Sequence, residues 1–353
     1  MGMKTTNCTH AQRLTQARNA SLAPATQRTY ACAWKSWVGY AKKRNQVPIP
    51  AEVKVLESWF VHLSCCGRSP ATIGVYRSAV AWHHRCYSPN PVLHPEVCDT
   101  VAGLVRLTAQ ENYAPRQASP LRRCDIAKIA VAIREPRNNK PGGRRETSQQ
   151  AQARGDIDIA MIYLAYDAAL RASELLTVKW SDIEPSQDGL GGRVRIRCSK
   201  TDQTAQGEVL PISAQTLAAL ENIRPASAQP EDRIFSFSYA TLNRRIKVAA
   251  QTAGIDAVHI TSHSLRIGLA QDLAAEGATM PTLMLAGRWT KPETVFRYIK
   301  HIAADQTPLA QYHRKHSQTK TNTKTKLKLT KKLSKLKILF KPQPNRNTYK
   351  ENN

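Results

Sequence analysis

Acidic side chains are scarce in this chain: 26 Asp and Glu stand against 52 Lys and Arg, leaving a formal charge of +26 over 353 residues. A balance so one-sided calls for a polyanionic partner, and nucleic acid is the commonest one. The excess is not a property of one end, since residues 313–353 carry +12 and residues 1–312 still carry +14. Long apolar runs are missing too. The opening residues contain no signal-peptide core, and no later stretch approaches the length that crosses a bilayer. Eight cysteines, at 8, 32, 65, 66, 86, 98, 124 and 198, lack any paired framework. Free thiols, a reducing intracellular setting and no membrane association are therefore expected. The group Cys65, Cys66, His83, His84 and Cys86 lacks two clean ligand pairs, which argues against zinc. The opening Met-Gly-Met-Lys-Thr-Thr matches an acylation pattern only formally, with no second membrane signal beside it.

Turn signals and periodicity divide the chain. Residues 1–23 are polar and expected to be loose. Between 24 and 110 four short helices are predicted, giving a compact all-α domain. Tyr30, Trp34 and Trp37 share one helical face over 26–44, and Val55, Trp59, Phe60 and Leu63 share another over about 51–64. Ser69-Pro70 caps a third helix, with Ile73, Tyr76 and Val80 inward, and Val97, Val101 and Leu104 mark a fourth from about Pro95. Residues 111–119 read as a linker. From 120 to 312 the pattern is again mostly helical, with a helix at about 121–134 and a polar loop over 135–154. Ile159, Ile162, Tyr163 and Tyr166 then form a helical stripe, and two short antiparallel strands near 193–197 and 207–212 flank a turn at 200–206. Residues 313–353 form a basic low-complexity tail. There Leu329, Leu333, Leu336 and Phe340 fit one face of a helix, and disorder fits the composition equally well.

Chemistry concentrates in the second region. His263 and Arg266 lie three apart at a predicted helix start, so their side chains share a face. Guanidiniums such as Arg171 and Arg266 grip phosphate oxygens bidentately and stabilise charge that builds on them during transfer. Histidine accepts a proton, lysine on a turn (Lys200) donates one, and a tyrosine (Tyr298) becomes a covalent nucleophile once its proton has a destination. No carboxylate cluster suited to paired magnesium ions accompanies them, so neither metal nor cofactor is expected. Each residue has a plainer reading, Arg171 as a salt bridge to Glu174 and Tyr298 as a helix-surface residue.

Order and spacing carry more than any single residue. Ala-Leu-Arg171-Ala-Ser-Glu174-Leu-Leu, followed by Trp180-Ser-Asp-Ile, resembles the first motif of the tyrosine recombinase (phage integrase) family. Ser-Lys200-Thr-Asp resembles its turn lysine. His263-Ser-Leu-Arg266-Ile-Gly, Leu285-Ala-Gly-Arg-Trp289-Thr and Val295-Phe-Arg-Tyr298-Ile resemble its second motif, with Trp289 23 residues after Arg266 and nine before Tyr298. The resemblance implies a helical core-binding domain followed by a mostly helical catalytic domain with a small antiparallel sheet. Arg171 and Arg266 would clamp the scissile phosphate, assisted by His263 as base or phosphate ligand. Lys200 would protonate the leaving 5′ oxygen, Tyr298 would form a 3′-phosphotyrosine, and Glu174 would hold the site together.

Two departures stand out: Ala169 occupies a place where many members have glycine, and Trp289 one where most have histidine. An indole donates a hydrogen bond but accepts no proton, so proton traffic falls to His263 and Lys200. The short segment before the first helix favours a simple two-domain member. Implied partners are duplex DNA with inverted-repeat sites and three further copies at a synapse, the free protein being a monomer. Ile299, Ile302 and Leu309 form the stripe expected to dock on a neighbouring copy. Arg77, Arg244, Arg245 and Lys247 are candidate DNA contacts. Rival readings are a type IB topoisomerase, a catalytically idle DNA-binding relative and a metal-dependent nuclease.

Overall fold

The structure, a computed structural model, describes residues 10–111, 117–138, 143, 145–197, 207–305, 310, 312–314 and 316. The chain divides into two compact units, Met1–Pro115 and Arg116–Asn353.

The first unit is all helical: α1 (His10–Ala20), α2 (Pro24–Lys42), α3 (Val53–Cys65), α4 (Pro70–His83) and α5 (Pro95–Gln110). Residues 10–20, expected to be loose, are thus helical. Ser69 caps α4 as its sequence predicts, its hydroxyl accepting from the Thr72 amide. Trp37, Leu56, Trp59, Phe60, Ile73 and Val80 are fully enclosed, and the Trp37 indole donates to the Pro48 carbonyl at 2.8 Å. The aromatic face of α2 is split: Trp37 is core, whereas Tyr30 and Trp34 line an open cleft beside Trp82 and His83. The histidines of the suspected cluster have structural duties. His83 stacks on Trp34, and the buried His84 ring lies 3.0 Å from the Ala51 amide and 2.8 Å from the Val80 carbonyl. Among the described residues no group of three or more metal-ligating side chains forms.

The second unit contains α6 (Arg123–Ala132), α7 (Ser148–Asp167), α8 (Ala172–Leu175), β1 (Ile183–Pro185), β2 (Gly191–Ile196), β3 (Glu208–Ser213), α9 (Ala214–Ile223), α10 (Tyr239–Thr252), α11 (His263–Ala275), α12 (Met280–Gly287) and α13 (Pro292–Asp305). The polar loop expected over 135–154 ends early. Thr147 and Gln150 cap α7 reciprocally, each side chain accepting from the other's backbone amide. Helix α7 then runs through the core, burying Ala160, Met161, Leu164 and Ala165 besides the anticipated Ile159, Ile162 and Tyr166. The sheet has three antiparallel strands in the order β1-β2-β3, with Val194 paired to Ile183 on one side and to Leu210 on the other. Only β2 and β3 were expected, because β1 is too short to show alternation. No helix among the described residues is long and apolar enough to cross a membrane.

Candidate active site

Three helix ends and the middle of a fourth helix bring the candidate residues together. His263 opens α11, and Arg266 follows one turn later on the same face. Gly268, next along that helix, lies so close to the Leu121 carbonyl that a side chain would collide with it, so this glycine lets the chain before α6 cross α11. Arg171 immediately precedes α8, and its amide donates to the Glu174 carboxylate at 3.0 Å. Trp289 follows α12 with its ring lying over Gly287, where any side chain would take its place. Tyr298 belongs to α13, which is tied to α11 by a bond of 2.9 Å from the Gln271 amide to the Tyr298 carbonyl. An apolar cluster of Ile267, Leu283, Val295 and Ile299 packs these three helices together.

These elements frame a cleft of about 210 Å³ lined by Arg171, His263, Arg266, Arg288, Trp289 and Tyr298, with Thr290, Lys291 and Thr294 at its rim. Its best-defined contact joins His263 Nε2 and Tyr298 Oη at 2.7 Å. Packing around the His263 ring, one edge of which faces solvent, and the nearby Arg266 and Arg171 charges push its imidazole below the ordinary value of 6.5. It is therefore largely neutral at pH 7 and free to accept a proton. Burial raises the Tyr298 hydroxyl above the usual tyrosine value, partly offset by Arg266, Arg297 and Arg171. The tyrosine thus keeps its proton until a base takes it, and the base lies in hydrogen-bond contact.

Arg266 is 1% exposed. Its guanidinium donates to the Ala169 and Gly287 carbonyls and lies 4.7 Å from the centre of the Trp289 ring. Among the described residues no carboxylate pairs with it. Burial, reinforced by Arg171 and Arg288, lowers it to about 9. A buried cation held by neutral dipoles is costly unless an anion completes the site. Arg171 is better compensated, its Nη1 lying 2.7 Å from Glu174 Oε1. Burial would raise the Glu174 carboxyl, but the Arg288 charge and the bonds from Arg171 prevail and leave it below the usual carboxylate range. The cleft thus gathers buried positive charge beside a phenol and an imidazole in hydrogen-bond contact.

Of the residues predicted from sequence, Arg171, His263, Arg266, Trp289 and Tyr298 meet at this cleft, with Glu174 directly behind Arg171. Lys200 lies outside the described residues, as do the turn around it and the tail from residue 317. Among the expected DNA contacts, Arg244 is exposed on α10 and Lys247 half-buried. Arg77 is half-buried on α4 and donates to the Cys98 thiol at 2.9 Å. Arg245 is turned inward: its Nε lies 2.5 Å from Asp158, a fully buried carboxylate. Its guanidinium is engaged with that carboxylate. Ile299, expected in a stripe offered to a neighbour, is buried on its own unit, while the Ile302 side chain and Leu309 lie outside the described residues. Sequence reasoning gave Arg288 no role. Its only signal was a long cation between Gly287 and Trp289, where a helix turns.

Known proteins agree with this geometry. Residues 147–305 match the phage integrase family. Recombinase cre of Escherichia phage P1 is 23% identical over 299 residues, spanning 77% of this chain and 82% of that protein. The integrase/recombinase xerD homolog of Selenomonas ruminantium is 22% identical over 299 residues, spanning 79% and 82%. In fold, the chain is similar to XerH site-specific recombinase bound to a palindromic difH substrate (TM-score 0.54, 16% identity, 77% of this chain and 75% of that one). It is also similar to a lambda integrase dimer bound to a COC′ core site (TM-score 0.50, 16% identity, 82% and 93%). Motif order, helical fold and cleft chemistry agree with that match: residues 147–305 form a domain of the phage integrase, or tyrosine recombinase, family.

Proposed function

We propose that this enzyme cuts and rejoins duplex DNA at specific sites, with Tyr298 as the nucleophile. Tyr298 Oη attacks the phosphorus of a backbone phosphodiester while His263 Nε2 takes its proton. A 3′-phosphotyrosine bond forms, the bond to the 5′ oxygen breaks, and Lys200 supplies the proton to the departing 5′ hydroxyl. Arg171 and Arg266 hold the non-bridging oxygens as their charge rises. Trp289 supports Arg266 from the face of its ring and leaves the proton traffic to His263 and Lys200. Attack by a 5′ hydroxyl from a second duplex reverses these steps and rejoins strands in a new combination, through a Holliday junction. The pairing of His263 with Tyr298 at 2.7 Å, beside the buried cation of Arg266, which no carboxylate among the described residues pairs, carries this reading.

Palindromic and core-site DNA appears in the solved relatives, so inverted-repeat duplex DNA is the proposed substrate. One tyrosine cuts one strand and an exchange needs four cuts, so four copies, monomers when free, assemble on two sites. The test is covalent trapping. Nicked duplexes carrying the DNA repeats that flank the coding region should yield a protein–DNA adduct on a denaturing gel. Tyr298→Phe should bind the same DNA and give none. An adduct with the Phe variant would move the nucleophile to another residue.

A further inference from the structure

Helix α12 ends in an unusual way. Arg288 closes it with φ of 54°, in the left-handed region where helix ends favour glycine. Despite that backbone preference, position 288 carries a long cation, and its side chain is only 6% exposed. Nη2 donates to Glu174 Oε2 at 2.8 Å and to the Ala168 and Ala169 carbonyls at 3.3 and 3.2 Å. Nε lies 3.6 Å from Glu208 on β3, yet among the described residues neither Nε nor Nη1, both buried, has a hydrogen-bond acceptor. Unmet buried donors detract from stability. A glycine here would end the helix with less strain, so backbone preference does not account for the arginine.

The contacts do account for it. Glu174 takes Arg171 on one oxygen and Arg288 on the other. The Ala169 carbonyl receives both Arg266 and Arg288. The turn's own carbonyls face the same group: Gly287 accepts from Arg266, and Arg288 lies 3.5 Å from Arg171 Nη2. Arg171 and Arg288 thus share one carboxylate and Arg266 has none among the described residues, which leaves the cleft with net positive charge. The contacts of the Arg288 head run to Glu174 and to the Ala168 and Ala169 carbonyls, so it acts through its neighbours.

We propose that Arg288 is a positioning residue for strand cleavage, which shares Glu174 with Arg171 and anchors the 287–288 turn so that both phosphate-gripping guanidiniums are fixed in place. This rests on the recombinase reading above only for its effect on rate, because the effect on Arg171 exists without DNA.

Two variants test it. Arg288→Gly keeps the left-handed turn and removes the cation; Arg288→Lys keeps the charge but loses the fork that reaches Glu174. Guanidinium NMR of the free, full-length protein, with the Arg171 signal assigned by its loss in Arg171→Lys, should show faster proton exchange at Arg171 in Arg288→Gly. The lysine variant should fall between that and wild type. On nicked duplexes recovered from a random-sequence library by wild-type binding, adduct formation by Arg288→Gly should slow by roughly 10- to 100-fold, the scale of a misplaced catalytic group, with DNA affinity unchanged. If the glycine variant does not fold, the lysine variant carries both comparisons. Unchanged Arg171 exchange overturns the inference whatever the rates. Altered exchange with wild-type cleavage overturns the catalytic part. Altered exchange with no adduct even in wild type would refute the recombinase reading and leave the positioning intact.

Discussion

The contact between His263 and Tyr298 makes the pH dependence of DNA cleavage a direct test of the base. An imidazole at its ordinary value of about 6.5 is roughly three-quarters neutral at pH 7. The His263 ring titrates below that, so a larger share of it is neutral there. Only the neutral ring can take the tyrosine proton, so adduct formation is present above the His263 value and lost as pH falls through it. The acid limb should therefore lie below 6.5. The alkaline side has a different origin. Arg266 must be charged to hold phosphate, and in the free protein it titrates at about 9. With DNA below saturation, where the rate reports the free enzyme, adduct formation should decline as pH rises through about 9. With saturating DNA the bound phosphate favours the charged guanidinium and moves that limb upward. His263→Gln should lower the rate by about 10²- to 10⁴-fold, the range for general-base catalysis, which corresponds to roughly 3–5 kcal/mol. It should also abolish the acid limb. The assay is single-turnover trapping on nicked duplexes from pH 5 to 10. An acid limb that survives in His263→Gln, or one above 6.5 in wild type, would falsify the assignment of His263 as base.

Lys200→Ala should suppress cleavage of ordinary DNA but recover much of the rate on a 5′-bridging phosphorothiolate, whose sulfur leaves unprotonated; absence of recovery would remove Lys200 as the acid. Arg245→Met should lower stability in urea by about 3 kcal/mol, because it strips a partner from a buried carboxylate. A loss under about 1 kcal/mol together with weaker DNA binding would instead restore Arg245 as a DNA contact. Deleting residues 317–353 removes 11 Lys and Arg. It should flatten the salt dependence of DNA affinity by up to about 0.9 in log–log slope for each phosphate no longer neutralised. Covalent chemistry should persist, and an unchanged slope would show the tail to be dispensable for binding.

Residues that line the cleft were legible because phosphoryl-transfer chemistry accepts few side-chain types and the helices fix their spacing. Arg171, His263, Arg266 and Tyr298 needed only motif order to be chosen from a chain rich in basic residues. Residues defined by orientation were not. Arg244 and Arg245 are indistinguishable in composition, yet one residue along α10 turns a side chain by about 100°, which takes Arg245 to the buried Asp158 and leaves Arg244 in water. The start of α7 was readable from Thr147 and Gln150, but the surrounding Arg, Gly and Gln pointed to a loop.

Arg288 shows a deeper limit, because its meaning lies in a backbone angle. Ala169 shares it. Both adopt positive φ, 46° and 54°, and they flank the Arg266 guanidinium. The left-handed conformation costs about 1–2 kcal/mol for a residue with a Cβ, yet it occurs twice around one side chain. Each of these turns aims a carbonyl inward: Ala169 presents its own to Arg266, and the turn at Arg288 presents that of Gly287. A carboxylate in their place would neutralise Arg266 and weaken its hold on phosphate. Neutral carbonyls orient the cation and leave its charge available. The strained backbone therefore sits where an oriented but uncompensated guanidinium is required, which is why glycine at 169 would suit the backbone and why alanine there still preserves the site.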